Sequence, residues 1–244
     1  MSCGALLIHG FTATPACLES LAAPLRHAGY LVETPLLAGH GRTVQDLAGV
    51  TWAEWYDNVR EAYRKLKERA ERIYVAGLSL GGLLGLRLIL EHPVSALALL
   101  ATPVFLHGYA RWVLHLLAAA PLNRIYPYQL KVAGPAIADP EQRAKFISYP
   151  KMPVRALMEI IRLKKEVIPR LGEVTAPVLL IHSPHDTTAP YHNMEFIKNR
   201  LGSREVQTIR LERSDHVLTM DYEREFVAEK VLQFFAEHDG ERAL

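Results

Sequence analysis

Cysteine is nearly absent from this chain: Cys3 and Cys17 are the only two in 244 residues. Their C-x13-C spacing matches no metal or redox motif, and one of them adjoins an apolar run that reads as a buried strand, so both are expected to be reduced thiols. Neither a disulfide framework nor a metal site is implied. Long hydrophobic runs are missing as well, since no apolar stretch approaches the ~18 residues that a membrane-spanning helix requires. The first residues, Met1 to His9, carry no basic segment, and their short apolar run is needed for the core, so they do not read as a signal peptide. A soluble, cytoplasmic protein is the expectation. An excess of one charge is also lacking: 28 basic side chains face 26 acidic ones, for a net charge of +2, and no basic run exceeds Lys164-Lys165. A surface that tracks phosphates is thereby excluded, and nucleic acid is a poor partner. Internal repeats, low-complexity tracts and linkers are absent too, and nothing in the pattern sets an oligomeric state.

Apolar residues, by contrast, make up 50% of the chain, enough for one large buried core. Ala5 to Ile8, Ile73 to Ala76, Ala96 to Leu100 and Pro177 to His182 are short continuous apolar runs, the pattern of strands covered on both faces of a parallel sheet. Tyr30 to Thr34 and Val206 to Leu211 read as further strands. Between them lie helix patterns at Leu18 to His27, Trp52 to Arg69, Leu80 to Glu91, Tyr191 to Leu201 and Tyr222 to His238. In the last of these Phe226, Val227, Val231, Phe234 and Phe235 are expected to face inward. The fold class is therefore α/β, with a mostly parallel central sheet flanked by helices.

One segment breaks this rhythm. From Thr102-Pro103 to about Gly172 no convincing strand is found, and three helix candidates appear, around Tyr109 to Ala119, Pro140 to Ile147 and Val154 to Ile168. Such an insertion cannot belong to the sheet, and long inserted segments in compact domains usually serve function. The chain thus divides into a core of residues 1–102 and 173–244 and a helical cap of residues 103–172.

The stretch Gly77-Leu78-Ser79-Leu80-Gly81-Gly82 sits where a strand turns sharply into a helix. A G-x-S-x-G match needs that context, because a turn tight enough to expose a serine hydroxyl strains the backbone and leaves no room for side chains two residues either way. A serine alcohol is a weak nucleophile unless a base takes its proton, and the base needs a third group to orient it. Asp186 and His216 supply these, each just after a predicted core strand, 107 (186 − 79) and 30 (216 − 186) residues further on. The three therefore converge on one sheet edge in the order Ser, Asp, His.

Eleven histidines compete for the base. His9 precedes the serine, His40 reads as a loop-packing residue between two glycines, His182 lies inside a strand, and His185 adjoins the acid. Only His216 stands in the loop directly after the last strand. Asp215 and Asp221 compete with Asp186, but Asp215 is the direct neighbour of His216, and adjacent loop residues usually diverge. Backbone N–H groups of Phe11, after the strand at Ala5 to Ile8, and of Leu80 are the candidate oxyanion donors. Phe11 with Trp112, Leu116, Leu117 and Met158 of the cap is the candidate acyl pocket.

These residues together resemble an α/β-hydrolase of the bacterial carboxylesterase and monoacylglycerol lipase branch. The resemblance rests on Leu6-Leu7-Ile8-His9-Gly10-Phe11-Thr12, Gly39-His40-Gly41, Val75 to Gly82, His185-Asp186 and Ser214-Asp215-His216-Val217. It implies a Ser79, Asp186, His216 triad, a small helical cap and hydrolysis of short- to medium-chain acyl esters or monoacylglycerols without a cofactor or metal. Asp215 departs from the pattern, standing where a glycine is common. The same triad could serve a thioester, lactone, amide or carbon-carbon bond. In another class, the fold could carry a non-catalytic small-molecule binding protein.

Overall fold

The computed structural model describes residues 2–107, 127–130 and 134–239. Six strands form one sheet: β1 (Cys3–Ile8), β2 (Leu31–Glu33), β3 (Arg72–Leu78), β4 (Ala96–Leu100), β7 (Val178–His182) and β8 (Val206–Arg210), in the order β2-β1-β3-β4-β7-β8. Each pairing is parallel. The chain runs outward from β1 to β2 and then returns to the other side of β1 for β3. That reversal opens a crevice beyond the carboxyl ends of β1 and β3, where open α/β sheets take their ligands.

Side chains along a strand alternate between faces, and here both faces are apolar. Leu6, Ile8, Val75, Leu97, Leu99 and Leu180 join one buried cluster; Ala5, Leu7, Tyr74, Ala98, Leu100 and Ile181 join the other. On the first face pack α3 (Trp52–Lys67), α4 (Leu80–Ile89) and α6 (Val154–Val167), through Trp55, Val59, Leu83, Leu163 and Val167. On the second lie α1 (Glu19–His27) and α8 (Arg224–Glu237), through Leu21, Leu25, Val231, Phe234 and Phe235. Phe226, expected to face inward, is instead 41% exposed, with Lys230 over its ring. The buried stripe of α8 runs through Val227, Ala228, Val231, Phe234 and Phe235, and residue 226 falls one helical step to its side.

Between β4 and β7 no described residue joins the main sheet. Two short strands, β5 (Tyr128–Leu130) and β6 (Lys151–Pro153), pair antiparallel as a separate ribbon, in a segment whose sequence suggested no strand. Three-residue strands carry too little pattern to be read from sequence. Helix α5 (Pro140–Lys145) is capped by the Asp139 carboxylate, which accepts from the Glu141 and Gln142 amides, as its Asp-Pro start suggests. The expected helix around Tyr109 to Ala119, with Trp112, Leu116 and Leu117, lies outside the described residues. No described helix is long and apolar enough to cross a membrane.

Candidate active site

Ser79 occupies the single residue between β3 and α4, with φ 54° and ψ −114°. An L-residue rarely adopts that backbone, and it persists only where the surroundings dictate it. They do so through glycine. A Cβ on Gly77 would meet the Gly81 carbonyl oxygen at 2.2 Å, one on Gly81 would meet the Ile8 carbonyl oxygen at 2.0 Å, and one on Gly82 would meet Thr102 Oγ1 at 2.0 Å. The strand, the turn and the first helical turn can nest only because all three positions lack side chains. The Ser79 amide donates to the Leu100 carbonyl at 2.8 Å, fastening the turn to β4.

Aligned strand ends bring the partners in. His216 Nε2 lies 2.9 Å from Ser79 Oγ, and His216 Nδ1 lies 2.7 Å from Asp186 Oδ2. A carboxylate only accepts, so Nδ1 carries the proton and Nε2 is left to accept from the serine hydroxyl. All three candidates chosen from sequence thus form one continuous relay. Asp186 Oδ1 accepts the Thr188 and Ala189 amides at 2.8 and 2.7 Å. Burial alone would raise this carboxyl. The charge interaction with His216 and hydrogen bonds from His182, His216 and the Ala189 amide outweigh it and hold the group well below the usual carboxylate range.

The loop bearing His216 is held by acidic groups that sequence reasoning passed over or ranked only as rivals for the acid. Asp215 turns away from the relay and accepts from the Thr187 amide at 2.8 Å and from the Thr187 hydroxyl, so it ties the His216 loop to the Asp186 loop. A glycine at this position could accept neither bond. Asp221 Oδ2 accepts the Asp215 amide at 2.8 Å and the Ala138 amide at 2.7 Å. Glu223 accepts the amides of Glu212, Arg213 and Ser214. Burial would raise the Glu223 carboxyl; these amides and the Ser214 hydroxyl outweigh it and keep it low. Nothing in the spacing of Asp221 and Glu223 announces these roles, because the amides they hold become neighbours only after folding. Among the described residues no cluster of side chains is suited to hold a metal ion.

Phe11 lies half-buried beside the serine turn. A Cβ on Gly10 would come within 3.5 Å of Ser79 Cβ, so the Gly10 backbone runs directly against Ser79. Leu80 opens α4, and amides in a helix's first turn have no intrahelical acceptor. Among the described residues the Phe11 amide has no protein acceptor either. The Phe11 ring stands edge-on to His40 and Trp55, at 5.9 Å in both cases.

His9, set aside as a base, proves to be the buried anchor of this loop. Its Nδ1–H donates to the Gly10 carbonyl at 2.9 Å, and its Nε2 accepts the Leu37 amide at 3.1 Å. Burial, followed by the neighbouring His40, pushes its pKa down to about 3. His40 packs in the loop as expected and donates from Nδ1 to the Ala38 carbonyl; burial lowers it to about 4. Met158, the one proposed cap contact among the described residues, is half-buried on α6.

Comparison with known proteins places this geometry in a family. The pattern of the family described as serine aminopeptidase, S33, matches residues 5–223. The thermostable monoacylglycerol lipase of Bacillus sp. (strain H-257) is 34% identical over 97% of this chain and 92% of its own length. The carboxylesterase of Bacillus subtilis (strain 168) is 28% identical over 96% of this chain and 92% of its own length. A solved structure from the metagenome-derived lipolytic enzymes LipS and LipT superposes with a TM-score of 0.89 at 32% identity, covering 97% of this chain and 94% of that one. With its parallel sheet, serine turn and residues 5–223 matched throughout, the chain belongs to the α/β-hydrolase family described as serine aminopeptidase, S33.

Proposed function

We propose that this protein is a serine esterase that cleaves short- to medium-chain acyl esters or monoacylglycerols through an acyl-enzyme, with Ser79 as nucleophile, His216 as base and Asp186 as the group that orients it. The unbroken relay from Ser79 Oγ through the His216 ring to Asp186 Oδ2, at 2.9 and 2.7 Å, carries this reading. His216 Nε2 takes the serine proton as Oγ attacks the ester carbonyl, and the imidazolium then gives that proton to the leaving alkoxide. Water enters, loses a proton to the same nitrogen and attacks the acyl-serine carbonyl. Collapse expels Ser79 Oγ, reprotonated by His216, and frees the acid.

The oxyanion formed in each half would be held by the Phe11 and Leu80 amides, neither of which has an acceptor among the described residues. No metal or cofactor enters this reaction scheme. The segment 103–172 would form a cap over the crevice, anchored in the core by α6, and would line the acyl pocket together with Phe11.

Ester substrates are favoured over amides because the relatives that match nearly the whole chain are named as ester hydrolases, whereas the family description names an aminopeptidase. A series of p-nitrophenyl esters from acetate to laurate, run beside 1-monoacylglycerol and an aminoacyl p-nitroanilide, separates the two. Ester turnover that vanishes in Ser79→Ala is expected. Anilide turnover without ester turnover would reverse the assignment, and ligand binding without any turnover would mark a binding protein.

A further inference from the structure

His182, the last residue of β7, belongs to no part of the relay just described, yet its ring reaches the same carboxylate oxygen that His216 uses. His182 Nε2 stands 3.0 Å from Asp186 Oδ2 and 3.0 Å from the Ala189 carbonyl oxygen. Both neighbours are acceptors, so Nε2 carries a proton. The ring is 2% exposed and stands edge-on to Tyr191, whose own ring lies under the Arg210 guanidinium. Ala189 also donates its amide to Asp186 Oδ1, so imidazole, peptide and carboxylate close a ring of contacts around the acid.

We propose that His182 is a positioning residue for the relay: its Nε2–H, shared between Ala189 O and Asp186 Oδ2, fixes the carboxylate plane and tempers the charge on the oxygen that faces His216. This rests on the esterase reading above. Without that N–H, Oδ2 is less restrained and more basic. A more basic carboxylate stabilises the His216 imidazolium, so the acid limb of kcat/KM moves to higher pH while His216 spends less time in the orientation that takes the serine proton. Among the described residues, the titratable side chain that meets residue 186 besides His182 and His216 is His107, which reaches its backbone carbonyl at 2.9 Å.

The test is a pair of variants of matched shape. His182→Gln places an amide N–H near the position of Nε2, and His182→Met removes the donor at similar volume. For His182→Met, kcat on a p-nitrophenyl ester is expected to fall by about tenfold with little change in KM, and the acid limb to rise by about half a unit. His182→Gln should recover most of kcat and return the acid limb. Equal impairment of both variants, or a His182→Met enzyme with the kcat and acid limb of the parent, overturns the proposal. On the unaltered protein, ¹⁵N NMR should show His182 protonated at Nε2; a ring protonated at Nδ1 alone overturns it without recourse to a variant. Ser79→Ala serves as the separate control. If it is silent while His182→Met behaves as the parent, only the positioning role is lost; if it stays active, the esterase reading falls and this inference with it.

Discussion

Mild acid should loosen the loop that carries Phe11, and the size of the effect follows from two buried imidazoles. His9 accepts the Leu37 amide at Nε2, so a second ring proton would set one donor against another. Burial lowers its pKa to about 3 and that of His40 to about 4. In the unfolded chain both return to about 6.5. Below that pH the unfolded state binds the protons and the native state does not, so stability falls as pH falls, from about 6.5 down to the folded values. At pH 5 each ring has lost about 1.5 units of this linkage, or about 2 kcal/mol at 1.36 kcal/mol per unit, and the two together about 4 kcal/mol. Against a typical unfolding free energy of roughly 5–15 kcal/mol this is a large fraction.

Urea unfolding followed by circular dichroism at pH 8, 6, 5.5 and 5 measures it. His40→Phe keeps an aromatic ring against Phe11 and Trp55 but cannot titrate. It also loses the Nδ1 bond to Ala38, which lowers stability equally at every pH and leaves the slope as the readout. Between pH 6 and 5 the variant should lose about 1.2 kcal/mol less than the parent. Parallel lines over that interval would refute the reasoning.

Other perturbations bear on the site itself. Asp186→Asn retains an oxygen for the Thr188 and Ala189 amides but presents an NH2 to His216, forcing the tautomer that cannot accept the serine proton; kcat should fall by about 10³- to 10⁴-fold in a folded protein, read by steady-state kinetics beside circular dichroism. Gly81→Ala drives a methyl into the Ile8 carbonyl oxygen, where neither backbone can yield, and should cost about 3 kcal/mol or more. Gly49→Ala, whose nearest neighbour would lie at 3.8 Å, should change stability by no more than about 0.5 kcal/mol in the same denaturation assay. Asp215→Ala leaves the Thr187 amide and hydroxyl without their acceptor and should lower Tm by about 2–4 °C by calorimetry, with a smaller loss of kcat than Asp186→Asn.

The parallel sheet was readable because strands covered on both faces are continuous apolar runs, as β1 and β4 are and as β7 is up to His182, and such runs have few alternative homes. Ser79 was readable for a steric reason: a turn that places Gly81 against Ile8 tolerates nothing larger than glycine, and the requirement is written in the residue types. Asp186 and His216 could be chosen from their places just after strands. What escaped notice depends on contacts between distant loops. His182 is an unremarkable strand residue until Ala189 folds back over it, and Asp221 and Glu223 are two more acidic residues until the amides at 138 and at 212–215 arrive beside them. Phe226 was misplaced because the buried stripe runs through Val227, Ala228, Val231, Phe234 and Phe235, and residue 226 lies a helical step of about 100° before Val227, beyond the edge of that arc.

The claim at the centre of this account is that the hydroxyl of Ser79 is the nucleophile. Reaction of the intact protein with a fluorophosphonate, followed by peptide mapping, tests it most directly. One equivalent of adduct on Ser79, with esterase activity lost in step and kcat of Ser79→Ala reduced on the order of 10⁵- to 10⁶-fold, is the expected result. Full inactivation with the label on another residue, or undiminished ester turnover by Ser79→Ala, would contradict it.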